Sequence, residues 1–173
     1  MRESLTSEAL RVFMRELAKE ARESGRVYLT GGASAVLRGW RAQTVDVDIK
    51  VVPENDRLLR ALPNLKQRLN INVELAAPID FVPPLRGWEE RSVFIEQVGP
   101  LAFYHFDFYS QCLSKLERAH RKDLDDVQSM VKDGLVQPKK LRELFYEVEA
   151  ELYRYPAIDP PTLKSAVETF ALQ

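Results

Sequence analysis

Two aspartates, Asp46 and Asp48, interrupt a run of apolar residues, "TVDVDIKVV", that alternates as a half-buried β-strand does. Because side chains two residues apart on a strand project from the same face, the two carboxylates point together. Neighbouring carboxylates repel each other unless a cation lies between them. Carboxylate oxygens are the ligands that Mg²⁺ takes, together with water and substrate phosphates. The spacing therefore predicts a divalent-metal site on the polar face of this strand.

Glu74 offers a third carboxylate. It lies in "INVELAA", a second alternating run, on the face opposite to the apolar residues. If the two strands are neighbours, Asp46, Asp48 and Glu74 form a platform for two metal ions, which hold a triphosphate and activate an attacking hydroxyl. The same alternation predicts that these apolar side chains point inward: Val45, Val47, Ile49 and Val51 on the first strand, and Ile71, Val73 and Leu75 on the second.

A glycine pair, Gly31 and Gly32, joins the strand-like "RVYLT" to the short helical run "ASAVLRG". A helix entered through glycines exposes backbone N–H groups, which favour phosphate. Thr30 and Ser34 offer hydroxyl donors, and Arg41 either reaches a phosphate or caps the end of the acidic strand. The alternatives are an ordinary turn and a solvated strand face. The order of these motifs within one strand–helix–strand unit favours a phosphate and metal site.

The elements that position these residues follow the order helix, strand, helix, strand, helix, strand, hairpin and further helices. This order predicts an α/β (α+β) fold, with a mixed sheet flanked by helices in residues 1–108 and a helical region in residues 109–173 packed on it, or one domain overall. The first helix is predicted to run from about Ser7 to Ser24. Pro53 is predicted to open a helix that Pro63 kinks or divides. Gly99-Pro100 is predicted to turn the hairpin.

Basic and acidic residues recur in the later helices at steps of three or four residues. If one helix is continuous there, Lys115, Arg118, Lys122 and Asp126 share a face. Such a face would neutralise the charge of a triphosphate and stabilise charge in the transition state. The alternative is a solvated helix with internal ion pairs.

Composition excludes several classes of protein. The net charge of −1 provides no global basic field for nucleic acid, and the single cysteine, Cys112, excludes an intrachain disulfide and is predicted to be buried. The N-terminus has no signal-like apolar stretch, and no segment is long enough to span a bilayer. We therefore expect a cytoplasmic protein without membrane contact.

The run "GGASAVLRG…TVDVDIKV" resembles the signature of the nucleotidyltransferase superfamily with the DNA polymerase β-like fold. "NINVELAA" is similar to the strand that carries the third carboxylate in that superfamily. "CLSKLERAHRKDLDDVQSM" resembles a segment of the bacterial branch that contains AbiEii-like and MenT-like toxins.

The resemblance implies roles for individual residues. The first two metal-binding carboxylates fall on Asp46 and Asp48, and the third falls on Glu74, with Asp80 as its rival. The phosphate-binding turn falls on Gly31 and Gly32. Gly32 stands where other members have a serine that contacts the terminal phosphates, so that Ser34 or backbone amides would have to serve. The resemblance also implies that Lys115 binds the triphosphate or the leaving pyrophosphate, and that Asp123 and Asp126 form a supporting acidic pair.

The implied activity is transfer of a nucleoside monophosphate from an NTP, such as ATP, to a hydroxyl group, with Mg²⁺ or Mn²⁺ as cofactor. In the toxin-like branch the acceptor is often the 3′ end of tRNA, and an antitoxin protein is the partner. Two alternatives stay open. One is a nucleotide-binding or antitoxin-like module without turnover, which a glutamate at Glu74 and the missing serine would favour. The other is nucleotidylation of a small molecule or a protein.

Overall fold

The computed structural model describes residues 2–173, which divide into two compact units. The first unit comprises the residues up to Ala77 together with Ser92–Phe106, and the second comprises Pro78–Arg91 and Asp107–Gln173. The predicted fold class is confirmed, because helices flank a five-stranded mixed sheet. Among residues 2–173, no helix has the length and apolar character needed to cross a membrane.

The first unit contains three helices and the whole sheet. They are α1 (Ser7–Glu20), β1 (Gly25–Thr30), α2 (Gly31–Leu37), β2 (Asp46–Val52), α3 (Asp56–Arg68), β3 (Asn72–Leu75), β4 (Val93–Val98) and β5 (Leu101–His105). The strand order is β3-β2-β1-β5-β4. The β1/β2 and β4/β5 pairs are antiparallel, whereas β1/β5 and β2/β3 are parallel. The acidic strand β2 therefore lies between the strand that leads into the glycine pair and the strand that carries Glu74.

The alternation in β2 separates a buried face from a polar face. Val47 and Ile49 are buried and join one apolar cluster with α1 and α3, to which α1 contributes Phe13 and Leu17. Burying a side chain of this size stabilises the fold by about 1.5–3 kcal/mol. The intervening residues of β2 are only half-buried. The buried face thus fixes the direction in which the two aspartates project.

Two residues predicted to point inward are exposed instead. Val45 is 61% exposed and Leu75 is 57% exposed. Val45 precedes the first residue of β2, and Leu75 is the last residue of β3. Val45 lies outside the ladder of β2. Leu75 still pairs with Ile49, but it ends the edge strand β3 and does not belong to the apolar cluster.

Some helix boundaries also differ from the predicted ones. Helix α1 ends at Glu20 because Ala21 adopts an extended backbone, and Gly25 begins β1 rather than ending the helix. Helix α3 begins at Asp56, where Asn55 accepts a hydrogen bond from the Leu58 N–H at 3.2 Å, and not at Pro53.

Pro63 lies inside α3 without dividing it. A proline in a helix interior removes one backbone hydrogen bond. Three buried leucines of α3 offset this loss by packing into the apolar cluster: Leu58, Leu62 and Leu65. The predicted hairpin turn at Gly99-Pro100 is confirmed, because these residues lie between β4 and β5.

The second unit is helical, as the sequence predicts for the C-terminal half. It contains α4 (Trp88–Arg91), α5 (Phe108–Arg118), α6 (Arg121–Lys132), α7 (Pro138–Val148) and α8 (Pro160–Phe170). A continuous helix through Lys115 and Lys122 is not formed, because Ala119 adopts a left-handed backbone with φ of 56° and ends α5. The shared face that depended on this continuity is therefore absent.

Candidate functional site

The acidic residues of β2 and β3 lie side by side. In the parallel register, Asp46 pairs with Asn72 and Asp48 pairs with Glu74. Because paired residues on neighbouring strands share a face of the sheet, Glu74 joins Asp46 and Asp48 on the polar face. The condition that the sequence left open, that the two strands are neighbours, is met.

Asn72 connects two of these carboxylates. Its side-chain amide donates a hydrogen bond of 2.7 Å to Asp46 Oδ1 and one of 3.0 Å to Glu74 Oε1. Sequence reasoning missed Asn72, although its position two residues before Glu74 on the same strand places both on one face. The amide shields part of the repulsion between the carboxylates.

The glycine turn lies directly against the acidic strand. Thr30, the last residue of β1, pairs with Asp48, and Gly31 follows with φ of 60°. A Cβ atom on Gly31 would lie 3.1 Å from Asp48 Oδ2. Glycine is needed here for two reasons, since L side chains rarely adopt this backbone conformation and the carboxylate leaves little room.

Gly32 is surrounded by side chains from the segment that leads into β2. A Cβ atom on Gly32 would overlap the Thr44 hydroxyl, and it would lie 2.9 Å from Thr44 Cβ and 3.6 Å from Arg41 Nη1. Thr44 is held in place through its backbone, which exchanges hydrogen bonds of 2.7 and 2.9 Å with Leu5. Arg41, predicted to reach phosphate, is therefore beside the glycine turn.

Ser34 and His105 form a buried pair. Ser34 is fully buried, and its Oγ lies 2.7 Å from His105 Nδ1. Burial, together with the charges of Arg38 and Arg11, lowers the pKa of His105 to about 4, so the ring is neutral at pH 7. The Ser34 hydroxyl thus lies inside the protein, and Thr30 is buried as well. The predicted phosphate contacts of Thr30 and Ser34 stay predictions.

Four charged residues of the second unit form a network across the break between α5 and α6. Lys115 Nζ lies 2.8 Å from Asp126 Oδ2 and 3.4 Å from Asp123 Oδ1, and all three residues are buried. Arg118 donates two hydrogen bonds to Asp123, at 2.8 and 2.6 Å. Formal charges balance within the network.

The environment of Asp123 keeps it ionised. Burial alone would raise the pKa of its carboxyl, but the Arg118 hydrogen bonds and the charge of Lys115 lower that pKa overall. Lys115 is thus bonded to two carboxylates, and its predicted contact with a triphosphate stays a prediction. The remaining predicted residues of this unit, Lys122 and Asp80, are exposed.

Cys112 is buried, as predicted. Burial raises the pKa of its thiol, so the group is protonated at neutral pH and is not a nucleophile.

The polar face of β2 and β3 is the part of the first unit whose chemistry fits a hard cation. Its donors are carboxylate oxygens, and Asp46, Asp48 and Glu74 share one face of two paired strands. Within residues 2–173, no group of three or more His, Cys, Asp or Glu side chains is already arranged as a ligand set. The donor chemistry fits Mg²⁺, with water and substrate oxygens supplying further ligands.

Comparison with known proteins identifies the family of this chain. No curated protein and no solved structure matches the chain significantly. A family model described as "Nucleotidyltransferase of unknown function (DUF6036)" matches residues 8–159. The matched span is most of the 173 residues and includes the glycine turn and both acidic strands. The match supports the nucleotidyltransferase superfamily and does not confirm the AbiEii-like and MenT-like branch. The chain therefore belongs to this family of nucleotidyltransferases.

Proposed function

We propose that the protein transfers a nucleoside monophosphate from an NTP to a hydroxyl group in a Mg²⁺-dependent reaction. One observation carries this proposal, the position of Asp48. It pairs with Thr30 next to the glycine turn on one side and with Glu74 on the other. The residues proposed to bind phosphate and those proposed to bind a cation are therefore adjacent in one unit of the protein.

The proposed roles follow from this arrangement. Asp46, Asp48 and Glu74 would hold the metal, which when bound neutralises the triphosphate and polarises the α-phosphate. Gly31 and Gly32 would offer the backbone N–H groups of the turn to the phosphates. Glu74, the more exposed carboxylate, accepts the proton of the attacking hydroxyl. The acceptor oxygen bonds to the α-phosphorus, and the bond from that phosphorus to the bridging oxygen breaks as pyrophosphate leaves.

The experiment uses the full chain with each of the four NTPs labelled at the α-phosphate, Mg²⁺, and total RNA or total protein as acceptor. We expect a labelled acceptor and released pyrophosphate with the wild type, and neither with Asp48→Asn. Label transfer by Asp48→Asn at the wild-type rate would contradict the assignment of the site.

We further propose an RNA hydroxyl as the acceptor, such as the 3′ end of tRNA, and regulation by an antitoxin protein. The support is the resemblance of the segment from Cys112 to Met130 to the toxin-like branch. Label that appears on protein or on a small molecule would keep the chemistry and change the acceptor.

A module that binds nucleotide without turnover is the second candidate. The observation that favours it is the Asn72 amide, which already occupies one oxygen each of Asp46 and Glu74. Tight NTP binding without pyrophosphate release, with every acceptor tested, would support this candidate against the first.

A further inference from the structure

We infer that Thr44 is a phosphate-binding residue of the proposed active site, and that its hydroxyl takes the place of a side chain at Gly32. This inference rests on the proposed function and names a residue that neither the motif nor the family match assigns. The ligand group is the β- and γ-phosphates of an NTP.

The hydroxyl-bearing residues near the glycine turn differ in burial. Ser34, three residues after Gly31, is fully buried, with its Oγ 2.7 Å from His105 Nδ1. Thr30 is 6% exposed. Thr44 is only half-buried, so that part of the residue is accessible to solvent.

Thr44 leaves Gly32 no room for a side chain of its own. The Gly32 backbone is not left-handed, so the backbone conformation alone would accept a side chain. The space for that side chain is filled by Thr44, since a Cβ atom on Gly32 would overlap the Thr44 hydroxyl. Any hydroxyl carried by a residue at position 32 would therefore lie close to where the Thr44 hydroxyl is.

The side chains that border Gly32 are of types that bind phosphate. Arg41 Nη1 lies 3.6 Å from the position of the same Cβ atom, so a guanidinium and a hydroxyl border Gly32 together. Guanidinium groups bind phosphate oxygens strongly, and hydrogen bonds to such charged acceptors are stronger than hydrogen bonds to neutral ones. The Thr44 hydroxyl now donates to the Asp46 carbonyl at 3.2 Å, at the long end for O–H donors. Rotation about χ1 or about the C–O bond can redirect that proton to a phosphate oxygen.

Thr44 is held in place by Leu5. Leu5, which is fully buried, exchanges two backbone hydrogen bonds with Thr44. Because Thr44 is only two residues before Asp46, the same anchor fixes the hydroxyl relative to the acidic strand. A phosphate held by Thr44 and Arg41 would thus be positioned against the carboxylates of β2.

The test compares Thr44→Val, which replaces the hydroxyl by a methyl group of similar size, with Thr44→Ser, which keeps it. We expect Thr44→Val to raise KM for the NTP about ten- to hundredfold, as for a lost hydrogen bond to a charged group, with a smaller change in kcat. Thr44→Ser should restore most of the affinity. Thr169→Val on the exposed side of α8 makes the same atomic change elsewhere and should behave as the wild type.

Moving the hydroxyl group from position 44 to position 32 gives a second, independent test. In the double variant Gly32→Ser with Thr44→Gly, the serine has the space that Thr44 vacates, and it should recover NTP affinity relative to Thr44→Gly alone. Calorimetry of the same variants should show lost affinity for an NTP but an unchanged affinity for the nucleoside monophosphate, which lacks the β- and γ-phosphates. If Thr44 had only a structural role, its loss would weaken the affinities for the NTP and for the nucleoside monophosphate alike, and the double variant would not restore them.

The possible outcomes separate the two proposals. If Asp48→Asn is inactive while Thr44→Val retains the wild-type KM and NTP affinity, the inference about Thr44 is overturned and the proposed function stands. If the wild type neither binds an NTP nor releases pyrophosphate, the proposed function fails and the inference fails with it. If the wild type binds an NTP without turnover, the affinities of the Thr44 variants still decide the inference.

Discussion

Asp48 and the residues that contact it illustrate how few side chains define the site. The carboxylate is close enough to Gly31 that any side chain there would crowd it, and the strand register puts Glu74 beside it. The sequence suggested Asp46, Asp48, Glu74 and the glycine turn as parts of one site. The strand pairing brings Glu74 and the turn next to Asp48 and adds the Asn72 amide.

Asp48→Asn should lower the rate of nucleotidyl transfer by at least about a hundredfold, because the charge proposed to hold the cation is lost while the shape is kept. Asp48 is half-buried, so we expect the free energy of unfolding to change little. Rates measured with labelled NTP, and urea unfolding of the same preparations, check both parts. Asp125→Asn on the exposed face of α6 is the matched control and should retain full activity.

The third carboxylate can be assigned by comparing Glu74→Gln with Asp80→Asn. Glu74 pairs with Asp48 in the sheet, whereas Asp80 ends a 3₁₀ turn of the other unit. We therefore expect the larger loss of kcat from Glu74→Gln, measured at saturating NTP and Mg²⁺. A larger loss from Asp80→Asn would reverse the assignment.

His105 should make the fold sensitive to mild acid. Because its pKa is about 4 in the folded protein and near 6.5 when unfolded, the unfolded chain binds more protons between these values, and stability falls as the pH drops. The loss between pH 7 and pH 5 should be about 2 kcal/mol. Urea unfolding at both pH values measures it.

The matching variant is His105→Asn, whose side-chain oxygen can still meet the Ser34 hydroxyl. This variant should show a smaller change in the free energy of unfolding between pH 7 and pH 5. The variant His120→Asn, at an exposed histidine, should keep the pH dependence of the wild type. Asp123 has a lowered pKa, so its contribution to the free energy of unfolding is lost only below pH 3.8, the ordinary pKa of an aspartate. Asp123 therefore does not affect stability between pH 7 and pH 5. An unchanged slope in His105→Asn would show that another group is responsible.

At the scale of elements, the junction between α5 and α6 depends on charge as well as on apolar packing. Lys115 on α5 contacts Asp123 and Asp126 on α6, and Ala119 turns the chain between them. A buried ion pair gives little net stability over an apolar pair, but removing one partner leaves the other charge uncompensated.

Lys115→Met should therefore destabilise the protein by about 3–5 kcal/mol, since it removes the lysine cation from buried Asp126 and one of two cations from buried Asp123. Arg118→Met should lower the free energy of unfolding by less than Lys115→Met does, because the Arg118 side chain is 58% exposed. Urea unfolding of both variants tests the order. If Lys115→Met unfolds like the wild type and only weakens NTP binding, Lys115 is a phosphate ligand and not a structural residue.

Element types could be predicted from the sequence better than their ends or their contacts. The alternation in "TVDVDIKVV" predicted β2 because alternating apolar residues indicate which face of a strand is buried. The alternation did not indicate that Val45 lies outside the strand. The left-handed backbone of Ala119 could not have been predicted, since glycine or asparagine is the usual residue with that conformation at the end of a helix. Thr44 and Asn72 enter the site through strand pairing, which depends on residues distant in sequence.

At the scale of the whole molecule, ligand binding should couple to stability. A ligand that binds only the folded chain stabilises it by about 2.7 kcal/mol at a concentration a hundredfold above Kd. We expect Mg²⁺ with a non-hydrolysable NTP analogue to raise the melting temperature of the wild type. The rise should disappear in Asp48→Asn and on addition of EDTA. An EDTA-resistant rise would argue against a role for the metal in nucleotide binding.

The Asn72 amide has a consequence for how the protein can be handled. By donating to Asp46 and Glu74 at once, it supplies a neutral spacer between two like charges that does not depend on any bound ion. The sheet edge should therefore keep its shape when stripped by a chelator. Metal-free protein should be a stable stock that regains activity within the mixing time of added Mg²⁺, without refolding.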